Sequence, residues 1–157
     1  MELTVSKSKT FTHTDLGAFD QFLKDGPGKN VSKQFLRDLL GLTGMEISVT
    51  AYPPNTATPF FHTHKQNEEL YIVVKGEGQM HLDNELIDVR EGSIVRLLPE
   101  CSRNIKSGPD SELVFLCIQG KLGSLEQCTK DDGVRQDREF GQITKQTGRA
   151  PLEPLQL

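Results

Sequence analysis

Apolar and polar positions alternate in short runs between residues 45 and 119, and turn residues punctuate the runs. Period-two alternation of this kind marks strands with one buried face. Residues 45–52 predict a strand, followed by a turn at Pro53, Pro54 and Asn55. Next come His62, Thr63 and His64, a short polar link, and the β-branched and aromatic run ELYIVV at 69–74. Gly76 and Gly78 open another short strand to residue 82, and Asp83 with Asn84 turns it back. Strands at 87–90 and 94–98 flank a turn at Glu91 and Gly92. A strand at 103–106, a turn at Gly108, Pro109 and Asp110, and a strand at 112–119 complete the series. Many short strands at close spacing indicate an all-β sandwich or barrel, in which closure removes exposed edges.

The flanks read differently. Residues 1–44 form a leading arm, in which Thr14 is placed to cap a short helix through residue 23. The basis is the helical spacing of Leu16, Phe19, Phe22 and Leu23. The stretch DGPGKN at 25–30 ends that helix. Residues 31–40 suit either a helix, by their Leu and Arg content, or an edge strand feeding the sheet. Residues 120–157 carry Gly, Gln, Asp and Pro with little apolar periodicity. They predict an extended, partly flexible tail anchored at Leu125, Val134, Phe140 and Ile143. The organisation is an arm at 1–44, a barrel at 45–119 and a tail at 120–157.

Composition narrows the function classes. The 157 residues hold 22 Asp and Glu against 18 Lys and Arg, a formal charge of -4. Nucleic-acid binders draw affinity from clustered cations, and no basic patch with interleaved aromatics occurs, so no nucleic-acid partner is expected. Residues 1–14 show no apolar leader segment, and the longest apolar run, 113–118, is too short to span a bilayer. No membrane partner is expected, and a cytoplasmic location is. Cys101, Cys117 and Cys128 are odd in number without CxxC spacing, so neither a disulfide framework nor a zinc ribbon is indicated. Cys117, inside the run LVFLCI, reads as a buried small apolar residue.

The chemistry concentrates in PFFHTHKQNEELYIVVKG at 59–76. In a strand, His62 and His64 project from one face. Four residues turn the chain, and Glu69 begins a strand that can return antiparallel beside the first, setting a carboxylate opposite two imidazoles. Two neutral nitrogens and one anionic oxygen form the two-His-one-carboxylate grouping of non-haem iron, which also suits Mn, Ni or Zn. An HxH pair alone is a weak signal, and the bland alternative is a hydrogen-bonded polar cluster without metal. Tyr71 shares the face of Glu69 and lines the pocket, and Phe60 packs at its core or rim. Arg96, set among apolar neighbours, faces a bound anion, a subunit contact or solvent.

Taken whole, the spacing resembles the first cupin motif: HxH, four residues, Glu, six residues, Gly. The count to Gly76 selects Glu69 over its neighbour Glu68. After fifteen intervening residues, GSIVRLLP at 92–99 resembles the second motif. Pro53, Pro54 and Asn55 resemble the proline–glycine turn ahead of the first, since Asn tolerates positive φ. The resemblance covers roughly residues 45–119. It implies an antiparallel double-stranded β-helix, or jelly-roll barrel, with the N-terminal arm and the C-terminal tail outside it. It also implies a homodimer, and a divalent metal (Fe, Mn, Ni or Zn) held by His62, His64 and Glu69. Two departures stand out: six residues rather than five separate Gly92 from Pro99, and PECSRN at 99–104 lacks the histidine that is the family's usual fourth ligand. Asn104 is the nearest match there, and His81 on a neighbouring strand is the other candidate.

On this resemblance the chain is a small cupin for a small polar metabolite. As an enzyme it would be dioxygenase-, isomerase- or decarboxylase-like, the metal serving as Lewis acid or oxygen-activating centre. The competing class is a non-catalytic small-molecule-binding or sensor cupin with a degenerate metal site, which the missing histidine favours.

Overall fold

The alternating runs become antiparallel strands in the computed structural model, which describes residues 3, 5–19, 21–25, 31–126, 128, 129, 131–137, 139 and 140. In chain order the described elements are β1 (Val5–Lys7), β2 (Thr12–Thr14), α1 (Phe22–Asp25), β3 (Ser32–Phe35), α2 (Arg37–Leu40), β4 (Glu46–Tyr52), β5 (Asn67–Leu82), β6 (Glu85–Arg90), β7 (Ile94–Leu97), β8 (Arg103–Ser107) and β9 (Leu113–Lys121). β1 and β2 form a separate hairpin, and the main sheet runs β3-β4-β9-β5-β6 with β7 and β8 also bonded to β5.

β5 organises this arrangement. Its first half lies between β9 and β7, and its second half between β6 and β8. The sequence predicts two strands parted near Lys75; the structure has one strand of 16 residues, interrupted by a register shift between Val73 and Lys75. A bulge with Gly76 at φ +78° bends the chain without ending the pairing. Gly78 is needed for a different reason. A Cβ there would collide with the carbonyl of Lys106 on β8, as one on Gly76 would with the carbonyl of Glu112. The turn residues Asn55 and Asp83 adopt positive φ of 55° and 51°, which Asn and Asp tolerate better than other side chains.

Two apolar clusters follow from the two faces of the sheet. Tyr52, Tyr71, Val73, Met80, Leu97, Ile105 and Phe115 belong to the larger, inside the curl. Val49, Ala51 and Val114 face the other way and are covered by Phe22, with Leu16 and Leu36 beside them. The arm is thus a lid over the outer face of β4 and β9, which explains why β4 is buried on both faces.

The arm itself departs from expectation. Thr14 lies in β2, opposite Val5 of β1, and the helix described after it is Phe22–Asp25. Asp15 Oδ1 accepts the Gly17 N–H at 2.8 Å, and Gly17 takes φ +76°, so a turn displaces the first helical residues. Residues 31–40 divide between both readings, strand β3 and then helix α2, which stops at Gly41 with φ +72°. In the tail, Leu125, Val134 and Phe140 are exposed rather than anchored among the described residues. Ile143 lies outside the described residues.

Gly78→Ala should therefore lower stability by about 1–3 kcal/mol, through overpacking between β5 and β8. Gly92→Ala, which meets open space but sits at φ +87°, should cost roughly 1 kcal/mol. Urea denaturation midpoints measure both, and an unchanged midpoint for Gly78→Ala would contradict the close approach.

Candidate metal centre

Backbone pairing, rather than a hairpin, sets the two histidines in place. The expected antiparallel return of β5 beside the His segment does not occur. Residues 57–64 instead lie along β8 and its approach: His62 and Arg103 exchange N–H···O=C bonds of 3.3 and 3.1 Å, and the His64 N–H donates to Pro99 O at 2.8 Å. Glu69 arrives separately on β5, between Leu97 of β7 and Gln119 of β9. The His segment and β5 thereby bring their donors to one point inside the curl, with β8 behind the histidines.

One ligating atom from each of His62, His64 and Glu69 lies within 4.8 Å of the others. Glu69 is buried at 4 % exposure. Its Oε1 lies 3.1 Å from His64 Nε2 and accepts from the Cys117 thiol at 3.3 Å. Its Oε2 faces Arg103 Nε at 3.3 Å, close enough for charge contact but not aligned as a hydrogen bond. Arg103, 1 % exposed, is pinned through Nη2, which donates to Leu98 O at 2.7 Å. Burial pushes the His62 imidazole below its ordinary pKa; the Glu69 carboxylate opposes that and Arg103 reinforces it.

The donor set suits a divalent transition ion. His62 Nδ1 and Glu69 Oε2 are buried with no hydrogen-bond partner among the described residues, so acceptor capacity remains at the centre. His64 Nε2 and Glu69 Oε1 can face each other at 3.1 Å only with a proton or a cation between them. Neutral imidazole and carboxylate are what iron, manganese, nickel and zinc accept.

The remaining expected residues divide. Tyr71 shares the inner face with Glu69 and stacks on Phe115 at 5.7 Å, and burial drives its phenol well above the usual value. Phe60 is exposed, with its ring 5.7 Å from that of His62, at the rim. Arg96 does not line the pocket: it pairs with Glu68 on the outer face, Nη2 to Oε2 at 2.6 Å. His81 and Asn104 are cross-strand partners on the face opposite Met80 and Ile105, so side-chain alternation turns both away from the centre. His81 packs on Phe61 at 5.0 Å, and Asn104 Nδ2 donates to the carbonyls of Thr58 and Phe60 at 2.9 and 3.0 Å.

Sequence reasoning missed Arg103, and half-missed Cys117. Cys117 is buried as expected, yet it also donates to the candidate ligand, and burial raises its thiol to about 12. For Arg103 a signal existed. The segment 92–99 is one residue longer than the motif, so the histidine position is ambiguous by one, and 103 is the alternative to 104. A groove of about 710 Å³ lies on the outer sheet face among Glu77, Gln79, Arg90 and Lys106, and includes none of these residues.

Because Glu69 and Arg103 compensate each other in the interior, Glu69→Gln in metal-free protein should cost about 3–5 kcal/mol. The double variant Glu69→Gln with Arg103→Gln should lose less than the sum of the singles. A denaturation double-mutant cycle tests this, and strict additivity would show that the pair is not coupled.

Residues 48–119 match the cupin domain. A cupin protein from Bacteroides fragilis is 42% identical, with a TM-score of 0.66 over 72% of this chain and 95% of that one. A candidate sugar phosphate isomerase from Acidithiobacillus ferrooxidans is 26% identical with a TM-score of 0.53, covering 59% of this chain and 60% of that one. A predicted oxalate decarboxylase from Thermotoga maritima, 20% identical with a TM-score of 0.53 over 59% of this chain and 81% of that one, shares the fold. A protein of Methanocaldococcus jannaschii is 31% identical over 67 residues, 43% of this chain, which spans 54% of that relative's length. The sheet is the cupin double-stranded β-helix, and the chain belongs to the cupin family.

Proposed function

We propose that this cupin is a metal-dependent protein in which His62, His64 and Glu69 hold one Fe, Mn, Ni or Zn ion and present it to a small polar metabolite. The observation that carries the reading is the convergence of three donor atoms within 4.8 Å, two of them imidazole nitrogens and one a buried carboxylate oxygen. Bound there, the ion would supply Lewis-acid or oxygen-activating chemistry. The chain's own part is positional. β8 holds His62 through two backbone bonds, Pro99 O holds His64, and Cys117 orients Glu69 Oε1. Burial favours neutral His62, the state that donates to a metal.

The reaction class is dioxygenase-, isomerase- or decarboxylase-like. The name of the Acidithiobacillus ferrooxidans relative supports a small, oxygen-rich substrate. A second reading, a non-catalytic binding or sensor module with a degenerate metal site, is favoured by one observation: Arg103 already balances Glu69 at 3.3 Å. Three free cysteines support a reducing, cytoplasmic setting. Edge strand β3, with Phe35 exposed, supports a homodimer.

Protein purified without chelator should carry close to one transition-metal ion per chain by elemental analysis. His62→Ala and His64→Ala should each lose it, with affinity falling about 10-fold or more. Metal-free wild type that still binds ligands, with both variants indistinguishable from it, would establish the second reading instead. Light scattering should give twice the chain mass; a monomer removes the dimer.

A further inference from the structure

We propose that Arg103 makes this pocket a receptor for a small oxyanion, a carboxylate or a phosphate group, whose charge the guanidinium selects. The proposal rests on the metal reading above and adds the chemical class of the ligand. Three observations carry it. Arg103 is 1 % exposed, yet its Nη1 has no hydrogen-bond partner among the described residues, and its Nε faces Glu69 Oε2 at 3.3 Å without being aligned to it. The Nη2 bond to Leu98 O holds the guanidinium in place, so the spare donor is fixed rather than free to seek solvent. Backbone pairing of Arg103 with His62 puts that cation beside the metal donors, not elsewhere in the core.

Charge balance gives the direction. The carboxylate of Glu69 and the guanidinium of Arg103 cancel, and imidazoles coordinate as neutral donors. A divalent ion therefore brings a double positive charge into a poorly solvated site. A neutral metabolite would leave that charge standing. An oxyanion removes it, and it also accepts from a guanidinium N–H, which matches carboxylate and phosphate geometry better than any other side chain. A histidine at this position would instead have added a fourth neutral ligand and left the anion without its donor.

The test is calorimetric titration of Mn²⁺-loaded protein with malonate, with inorganic phosphate and with the uncharged malonamide, alongside metal analysis of every sample. Malonate or phosphate should bind wild type at least about tenfold more tightly than malonamide does, and the tighter of the two names the class. Arg103→Gln should lose that preference. Arg103→His should lose it too while holding metal more tightly. Equal anion affinity in wild type and a folded, metal-loaded variant would overturn the proposal and leave the metal reading intact. Anion binding that depends on Arg103 in wild type unable to hold metal would sink the metal reading alone. Should both variants fail to fold, Mn²⁺-loaded wild type decides: it must prefer malonate or phosphate over malonamide, and no preference overturns the proposal.

Discussion

β5 accepts and donates backbone hydrogen bonds along both edges through most of its 16 residues, and the rest of the barrel is arranged around that demand. A strand flanked on one side only would leave half of its polar backbone to solvent, and Glu69 would sit on an open edge. Flanking by β7 and β9 buries Glu69, while the bulge at Val73 and Lys75 redirects the strand so that β6 and β8 can take over. That second pair delivers Arg103. The same bend thus brings the buried anion and the buried cation to one place, and the close approach at Gly78 makes the bend possible.

Much of this was legible in the chain, and the reason is periodicity. Alternation located the strands from Glu46 to Lys121 to within a few residues, because one face of each must leave water. The Asn55 and Asp83 turns were legible for the same local reason, a side chain tolerant of positive φ. What failed was non-local. A run of Leu16, Phe19 and Phe22 has helical spacing, but spacing cannot register that the outer face of β4 and β9 needs covering; Phe22 serves that need and the first turns are given up to a strand and an Asx turn. Nothing in its own strand marks Arg103 out, since arginine in a strand is ordinarily exposed. Only the compensating Glu69, 34 positions earlier, makes its burial affordable, and no local window contains both.

The clustering of His62, His64 and Glu69 was legible by count, though not by the route first supposed. An HxH spacing guarantees a shared face only in regular strand, and the described segment touches β8 through single bridges rather than a ladder. The spacing survives because both histidines are tied to backbone carbonyls or amides of 99–103, so the loop is held as firmly as a strand would be. Asn104 follows from the count of the second motif and His81 from its place on a neighbouring strand, and alternation on β8 and β5 sends both to the other side of the wall.

Glu69 finally divides its work between its two oxygens. Oε1 is held by the Cys117 thiol, which stays a donor because burial keeps it protonated, and by His64 across 3.1 Å. Tyr71, on the same face of β5, stacks on Phe115 at 5.7 Å, and both rings are buried. Oε2 has, among the described residues, a misaligned guanidinium and no hydrogen bond. One oxygen therefore sets the orientation of the carboxylate and the other keeps a lone pair in reserve, beside a guanidinium that keeps a donor in reserve. A buried carboxylate and guanidinium left alone would close onto each other in a bidentate fork, which satisfies both at once. Leu98 O on one side and Cys117 on the other hold them short of that fork. The backbone thereby preserves two unmet hydrogen-bonding groups of opposite sense a few ångströms apart, and the pairing that would satisfy both is a cation at the carboxylate with an anion at the guanidinium.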